Sequence, residues 1–291
     1  DFDKWCPIAL DILEALGMET HPISIEEARE NYEFAVRYCD ANKSDCSIWR
    51  GMLMASDHVA SAMESKVKIP LNHLFVKPDL SFYNRENSLY PLSQISADSS
   101  KKYTIVTAPT GAGKTDFLLR RCRGRVFYVL PFQASINAMY DRIKKDLSDT
   151  DAQVSLLHSA SNLKVKDGTL EESIMQRFVG SSVKVMTPHQ MASIVFGIKG
   201  YESMAIDLKG CDVILDEIHT YSDVIQSIVL HIIDILIVLG CRIHIGTATM
   251  PSTLYNKIIE IMGGKEKVYE VNLADSTLVS FNRHRIYKLS D

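Results

Sequence analysis

Residues 103–115 read Tyr-Thr-Ile-Val-Thr-Ala-Pro-Thr-Gly-Ala-Gly-Lys-Thr. The first six are β-branched, aromatic or small, as in a strand buried on both faces. Pro109, Gly111 and Gly113 then force a turn, and an apolar-periodic segment over 114–122 predicts a helix. A glycine-rich turn between a buried strand and a helix N-terminus points its backbone N–H groups at one spot, where the helix adds positive potential. Phosphate suits such a spot. Thr110, Gly111, Ala112, Gly113, Lys114 and Thr115 are the expected cradle, with Lys114 reaching the β- and γ-phosphates and the Thr115 hydroxyl serving Mg²⁺. Ala108 stands where the general pattern has its first glycine.

Working outward, further strands are predicted at Arg125–Leu130, Val154–Leu157, Val183–Thr187, Asp212–Asp216 and Arg242–Thr247, with the first at Tyr103–Ala108. Helical patterns lie between most of them, at 114–122, 133–147, 170–179, 188–197 and 222–240. This alternation predicts an α/β fold with a parallel sheet and flanking helices. Upstream, residues 1–65 read as three helices and 66–100 as a proline- and serine-bearing linker. Net charge is −4, so any nucleic-acid surface must be local. The six cysteines form no Cys-x-x-Cys pair, and their spacing gives neither a zinc motif nor a small secreted disulfide framework. The apolar run 225–239 is interrupted by His231 and Asp234 and is too short for a membrane span.

Asp216-Glu217-Ile218-His219 ends one buried strand and Thr247-Ala248-Thr249 the next. Carboxylates at the end of a strand near a phosphate loop suit magnesium and water chemistry. Asp216 is expected to hold Mg²⁺, Glu217 to deprotonate the attacking water and His219 to sense the γ-phosphate. Thr247 and Thr249 are expected to couple hydrolysis to motion. Arg120, Arg121, Arg123 and Arg125 follow the phosphate-loop helix; cations there stabilise a helix C-terminus, and phosphate binding is the alternative reading.

Taken in order, these motifs resemble a superfamily-two helicase with a RecA-like fold of the P-loop NTPase type. That resemblance implies ATP as the nucleotide and Gln94 as its adenine reader. It places the nucleic-acid backbone at Gln133, Ser135 and Asn137, and at Thr187 and His189. Capping of a helix by Thr187 and Pro188 is the plain alternative for the latter. The segments Leu156-Leu157-His158-Ser159, 130–137, 216–221 and Phe281-Asn282-Arg283-His284-Arg285 narrow the resemblance to the CRISPR-associated helicase–nucleases of type I interference systems. In that family an HD-type metal nuclease precedes the helicase. Met54-Ala55-Ser56-Asp57-His58 resembles its last helix, which makes Asp57 a nuclease metal ligand for a divalent transition metal. The remaining ligands are not found in 1–56.

The resemblance implies an ATP-driven translocase on single-stranded DNA, coupled to metal-dependent cutting. It implies recruitment by a Cascade-type surveillance complex in antiviral defence, and a prokaryotic cytoplasm. Residues 101–270 would be the first motor lobe and 271–291 the start of a second, whose arginine finger is absent; weak turnover by this chain alone is expected. Another superfamily-two DNA or RNA helicase, and a nucleotide-dependent docking module without translocation, stay open.

Overall fold

Strands of valine, isoleucine, leucine and tyrosine alternate with helices in a computed structural model that describes residues 2–41, 48–63, 74–87, 89–157, 180–198, 201–273 and 277. The expected helix at 170–179 and the segments 158–159 and 278–291 lie outside these. Seven strands form one parallel sheet: β1 Tyr103–Thr107, β2 Val126–Val129, β3 Val154–Leu157, β4 Val183–Met186, β5 Asp212–Asp216, β6 Arg242–Thr247 and β7 Val268–Asn272. Their order is β3-β4-β2-β5-β6-β1-β7. β7 runs through residue 271.

Side chains alternate between the two sheet faces, and both faces are apolar. Phe127, Val129, Val213, Leu215, Ile243 and Ile245 pack with Val229, Ile232, Ile233 and Leu236 of one helix (Asp223–Val238) and with Leu254 and Ile258 of another (Ser252–Ile261). On the other face Val126, Tyr128, Ile214 and Val106 meet Phe117, Leu118 and Leu119 of Lys114–Arg121 and Ile136, Tyr140 and Ile143 of Gln133–Asp146. Among the described residues the helices in chain order are α1 Phe2–Ala15, α2 Ile25–Ala41, α3 Ile48–Met63, α4 Lys114–Arg121, α5 Gln133–Asp146, α6 Pro188–Met191, α7 Ser193–Phe196, α8 Tyr201–Leu208, α9 Asp223–Val238 and α10 Ser252–Ile261. The single helix expected over 188–197 is two short ones meeting at Ala192.

The chain divides into two units, residues 1–46 and 47–291. In the first, α1 runs into Gly17, whose φ of 78° suits glycine alone, and Ser24 and Glu27 cap α2 reciprocally. In the second, α3 lies on α8, with Arg50 3.2 Å from the buried Glu202. A Cβ on Gly51 would stand 2.7 Å from the Glu202 carbonyl oxygen, so glycine permits this close approach. α3 belongs to the second unit.

Two 3₁₀ turns, Ser81–Tyr83 and Pro91–Gln94, order much of the expected linker. The arginines after the phosphate loop hold it down: Arg120 donates to the carbonyls of Leu92, Ser93 and Ile95, and the fully buried Arg121 to those of Ala97, Ser99 and Lys101.

Arg121 also begins a buried chain at the amino edge of the sheet. Its Nε donates to Thr104 Oγ1, and His244 Nδ1 lies 3.1 Å from the same hydroxyl. His244 Nε2 meets Asp212 at 2.8 Å, and Asp212 also accepts from Arg242 Nε and from the N–H groups of Arg123 and Gly124. With Nε2 protonated toward the carboxylate, Nδ1 accepts the Thr104 proton and the imidazole is neutral. Burial pushes the His244 pKa below the usual histidine range against the pull of Asp212. Below about pH 6.5 the unfolded chain takes up a proton that the native one refuses, so stability falls as pH falls through that value. His244→Gln is expected to show a smaller drop in urea midpoint between pH 7 and pH 5 than the parent. An equal drop in both proteins would rule His244 out as its source.

Candidate functional site

The strand ends converge at the carboxyl edge of the sheet. The loop after β1 and the loop after β5 stand on either side of β6, and Thr247 ends β6 between them. A cleft of about 260 Å³ opens there, lined by Thr110, Gly111, Gly113, Lys114, Thr115, Asp216 and Glu217. Gly111 and Gly113 have φ of 86° and 93°, which turns the loop into the first turn of α4. Ala112 is buried behind the cleft; its N–H donates to Pro109 O, and its carbonyl accepts from Leu92 N–H.

Lys114 is buried, donates to Ala108 O at 2.9 Å and stands 3.8 Å from Glu217 Oε1. The other Glu217 oxygen is 3.3 Å from His219 Nδ1, which is also 2.9 Å from Thr247 Oγ1. The Thr247 hydroxyl gives its single proton to Thr249 O at 2.6 Å. It must therefore accept from His219, and this fixes the proton on Nδ1. Lys114, Glu217, His219, Thr247 and Thr249 thus form one continuous chain of contacts. Glu217 holds φ at 55°, a conformation uncommon for a side chain of its size, while its N–H donates to Gly246 O and to Asp216 Oδ1.

Asp216 is buried under α4. It accepts from Tyr128 Oη at 2.6 Å on one oxygen and from Glu217 N–H at 3.0 Å on the other. Burial, with Glu217 next to it, pushes its carboxyl up to about 6 even though Tyr128 and Lys114 pull the other way. A carboxylate so poorly compensated, beside a threonine hydroxyl, is a set of hard oxygen donors suited to Mg²⁺. Gly246 makes room for it: a Cβ there would lie 2.6 Å from Asp216 Oδ1 and 2.7 Å from Leu118 Cδ1. Gly246→Ala is expected to lower stability by about 1–3 kcal/mol through overpacking and to weaken nucleotide binding as Asp216 shifts. Retention of both in a urea melt and a binding titration would contradict this geometry.

Gln94 ends its 3₁₀ turn exposed and outside the cleft lining. Arg85 and Tyr90 form one wall of the cleft with Asp116 and Arg142. Arg85 donates twice to Asp116 Oδ2 and Arg142 to Oδ1. None of these four carries a sequence motif. Tyr128 was equally hidden: within an apolar strand it reads as core, and only the pairing of β2 with β5 puts it on the face of Asp216.

Gln133, Ser135 and Asn137 lie in the first turns of α5 after β2, and His189 is exposed in α6 after β4. Both starts are on the same sheet edge as the cleft. Thr187 is engaged in a reciprocal capping box with Gln190, so the plain capping role is present. Asp57 is exposed on α3, and the side chain of His58 lies outside the described set. Among the described residues one group has metal-ligand proximity, Cys122, Asp212 and His244. Its carboxylate already accepts four donors, which leaves no demand for a cation. No helix among the described residues is long and apolar enough to cross a membrane.

The sequence profile described as DEAD/DEAH box helicase matches residues 92–257, more than half of the chain. The CRISPR-associated nuclease/helicase Cas3 of Methanothermobacter thermautotrophicus is 25% identical over 233 residues, covering 75% of this chain and 28% of that protein. A Methanocaldococcus jannaschii protein given the same name is 27% identical over 240 residues, covering 75% and 31%. The chain thus spans less than a third of these relatives. The crystal structure of T. fusca Cas3 with AMPPNP is similar in fold, with a TM-score of 0.53 at 17% identity, over 69% of this chain and 26% of that one.

Proposed function

This chain belongs to the DEAD/DEAH box helicase family, and from that premise we propose that it is the ATP-binding first motor lobe of a CRISPR-associated helicase–nuclease. The observation that carries the reading is the unbroken run from Lys114 through Glu217 and His219 to Thr247 and Thr249 at the mouth of the cleft. It links a phosphate-binding cation, a base and a relay in one line.

Lys114 answers the charge of the β- and γ-phosphates. The amides of the glycine turn bind the same oxygens. Thr115 and Asp216 would hold Mg²⁺, which supplies further charge neutralisation between the phosphates. Glu217 accepts a proton from the attacking water, freed for the task as Lys114 turns to phosphate. His219 then reports the change to β6 through Thr247. The nucleic-acid strand runs over the starts of α5 and α6, at Gln133, Ser135, Asn137, Thr187 and His189, where helix N-termini and small polar groups suit a phosphate backbone. In the longer protein this motor would move along single-stranded DNA brought by a Cascade-type complex in the prokaryotic cytoplasm. Asp57 would be one ligand of the transition-metal nuclease, in the helical segment 1–65, with 66–100 linking it to the lobe at 101–270.

The test is ATP turnover by the longer protein that contains this chain, with and without single-stranded DNA or RNA. Stimulation by DNA supports the reading. Stimulation by RNA alone would reassign it to an RNA motor, and nucleotide binding without stimulation by either strand would reassign it to a docking module.

A further inference from the structure

The Asp216 carboxylate rests on a group that no motif contains. Tyr128 is fully buried in the middle of β2. Its register partner on β5 is Ile214, so Asp216, two residues on, presents its side chain on the same face of the sheet. The Tyr128 hydroxyl donates to Asp216 Oδ2 at 2.6 Å, a length typical of a hydroxyl on a carboxylate. The other Asp216 oxygen takes the Glu217 N–H at 3.0 Å.

A phenol has one proton, and Tyr128 has given it to Asp216. The carboxylate, held on one oxygen by the phenol and on the other by the Glu217 N–H, lines the cleft together with Thr115. Resting on the reading of this cleft as a magnesium–nucleotide site, we propose that Tyr128 is a positioning residue for the cation. It gives its proton to Asp216 and so fixes the carboxylate at the cleft as a ready-made ligand. The phenol touches neither nucleotide nor metal; it acts through the carboxylate that would hold the metal.

The test titrates a fluorescent ATP analogue onto the 291-residue chain, once with Mg²⁺ and once with EDTA. Tyr128→Phe removes one oxygen and keeps the ring. Outer partners of metal ligands are commonly worth about 10–100-fold in metal affinity, so the variant is expected to need about ten times more Mg²⁺ for half-maximal tight binding. Its affinity in EDTA is expected to match the parent. Asp216→Asn is expected to lose the Mg²⁺ enhancement too, and the double variant to lose no more than Asp216→Asn alone, because the phenol acts only through that carboxylate. An unchanged Mg²⁺ requirement in Tyr128→Phe overturns the proposal. So do additive losses in the double variant, or a parallel fall of affinity in Mg²⁺ and EDTA with a lower melting temperature, which would mark the phenol as packing only. If the parent itself binds no tighter with Mg²⁺ than with EDTA, the reading of the cleft fails and this proposal with it.

Discussion

Glu217→Gln is expected to lower strand-stimulated ATP turnover of the longer protein by about 100-fold or more, the low end of what a positioned general base contributes. The two side chains are nearly isosteric, so the cleft keeps its shape. Glutamine cannot take a proton from water, and it exchanges the ion pair with Lys114, 3.8 Å away, for a neutral contact. Lys114 then meets phosphate with less competition, so nucleotide affinity should hold or rise. Steady-state phosphate release and a binding titration on the same preparation separate the two effects. A loss of less than about tenfold falls below the range for a general base and would return the proton to another acceptor. A collapse of affinity would show instead that the Lys114–Glu217–His219 chain builds the binding site itself.

The largest expected effect on stability lies at the far edge of the sheet. Asp207 is buried between two buried cations: it pairs with Arg125, and its second oxygen takes Lys184 Nζ at 2.6 Å. It also accepts from Gly180 N–H. Burial alone would raise its carboxyl, but Lys184 and then Arg125 outweigh that and hold it below the usual carboxylate range. Asp207→Ala removes the one acid and leaves two positive charges in a site with little water. Breaking a buried pair in this way costs about 3–5 kcal/mol, a large share of the about 5–15 kcal/mol that holds a typical domain together. Urea unfolding followed by circular dichroism measures it. Adding Lys184→Met to Asp207→Ala should recover part of the loss. A single-variant loss near the value of exposed ion pairs, under about 1 kcal/mol, would mean that the cations are hydrated and that the cluster is not what locks α8 to β2 and β4.

The central strands and the loops that follow them could be read from sequence because strands buried on both faces carry unbroken apolar runs, and because glycine, lysine and acid recur at fixed offsets. β7 could not. Tyr269 and Glu270 are half exposed at the sheet edge, so Val268–Asn272 has no such run. The helix at Tyr201–Leu208 hides for the opposite reason: Glu202 and Asp207 are polar residues turned inward to meet Arg50, Arg125 and Lys184, and they break the apolar period. In the cleft, the motif residues were legible one by one. The wall made by Arg85, Tyr90, Asp116 and Arg142 was not, since its members come from three segments far apart in the chain and meet only in the fold.

The strand order also sets a timetable. β1 lies between β6 and β7, both of which come much later in the chain. On a ribosome, where chains emerge N-terminus first, the strand that carries the glycine turn leaves the exit tunnel with neither flanking partner yet made. β2, β4 and β5 can pair among themselves as soon as Asp216 is out. β1 must wait for Thr247 on one side and Asn272 on the other. A nascent chain stalled in between would carry every residue of the glycine turn and still have no socket for a nucleotide.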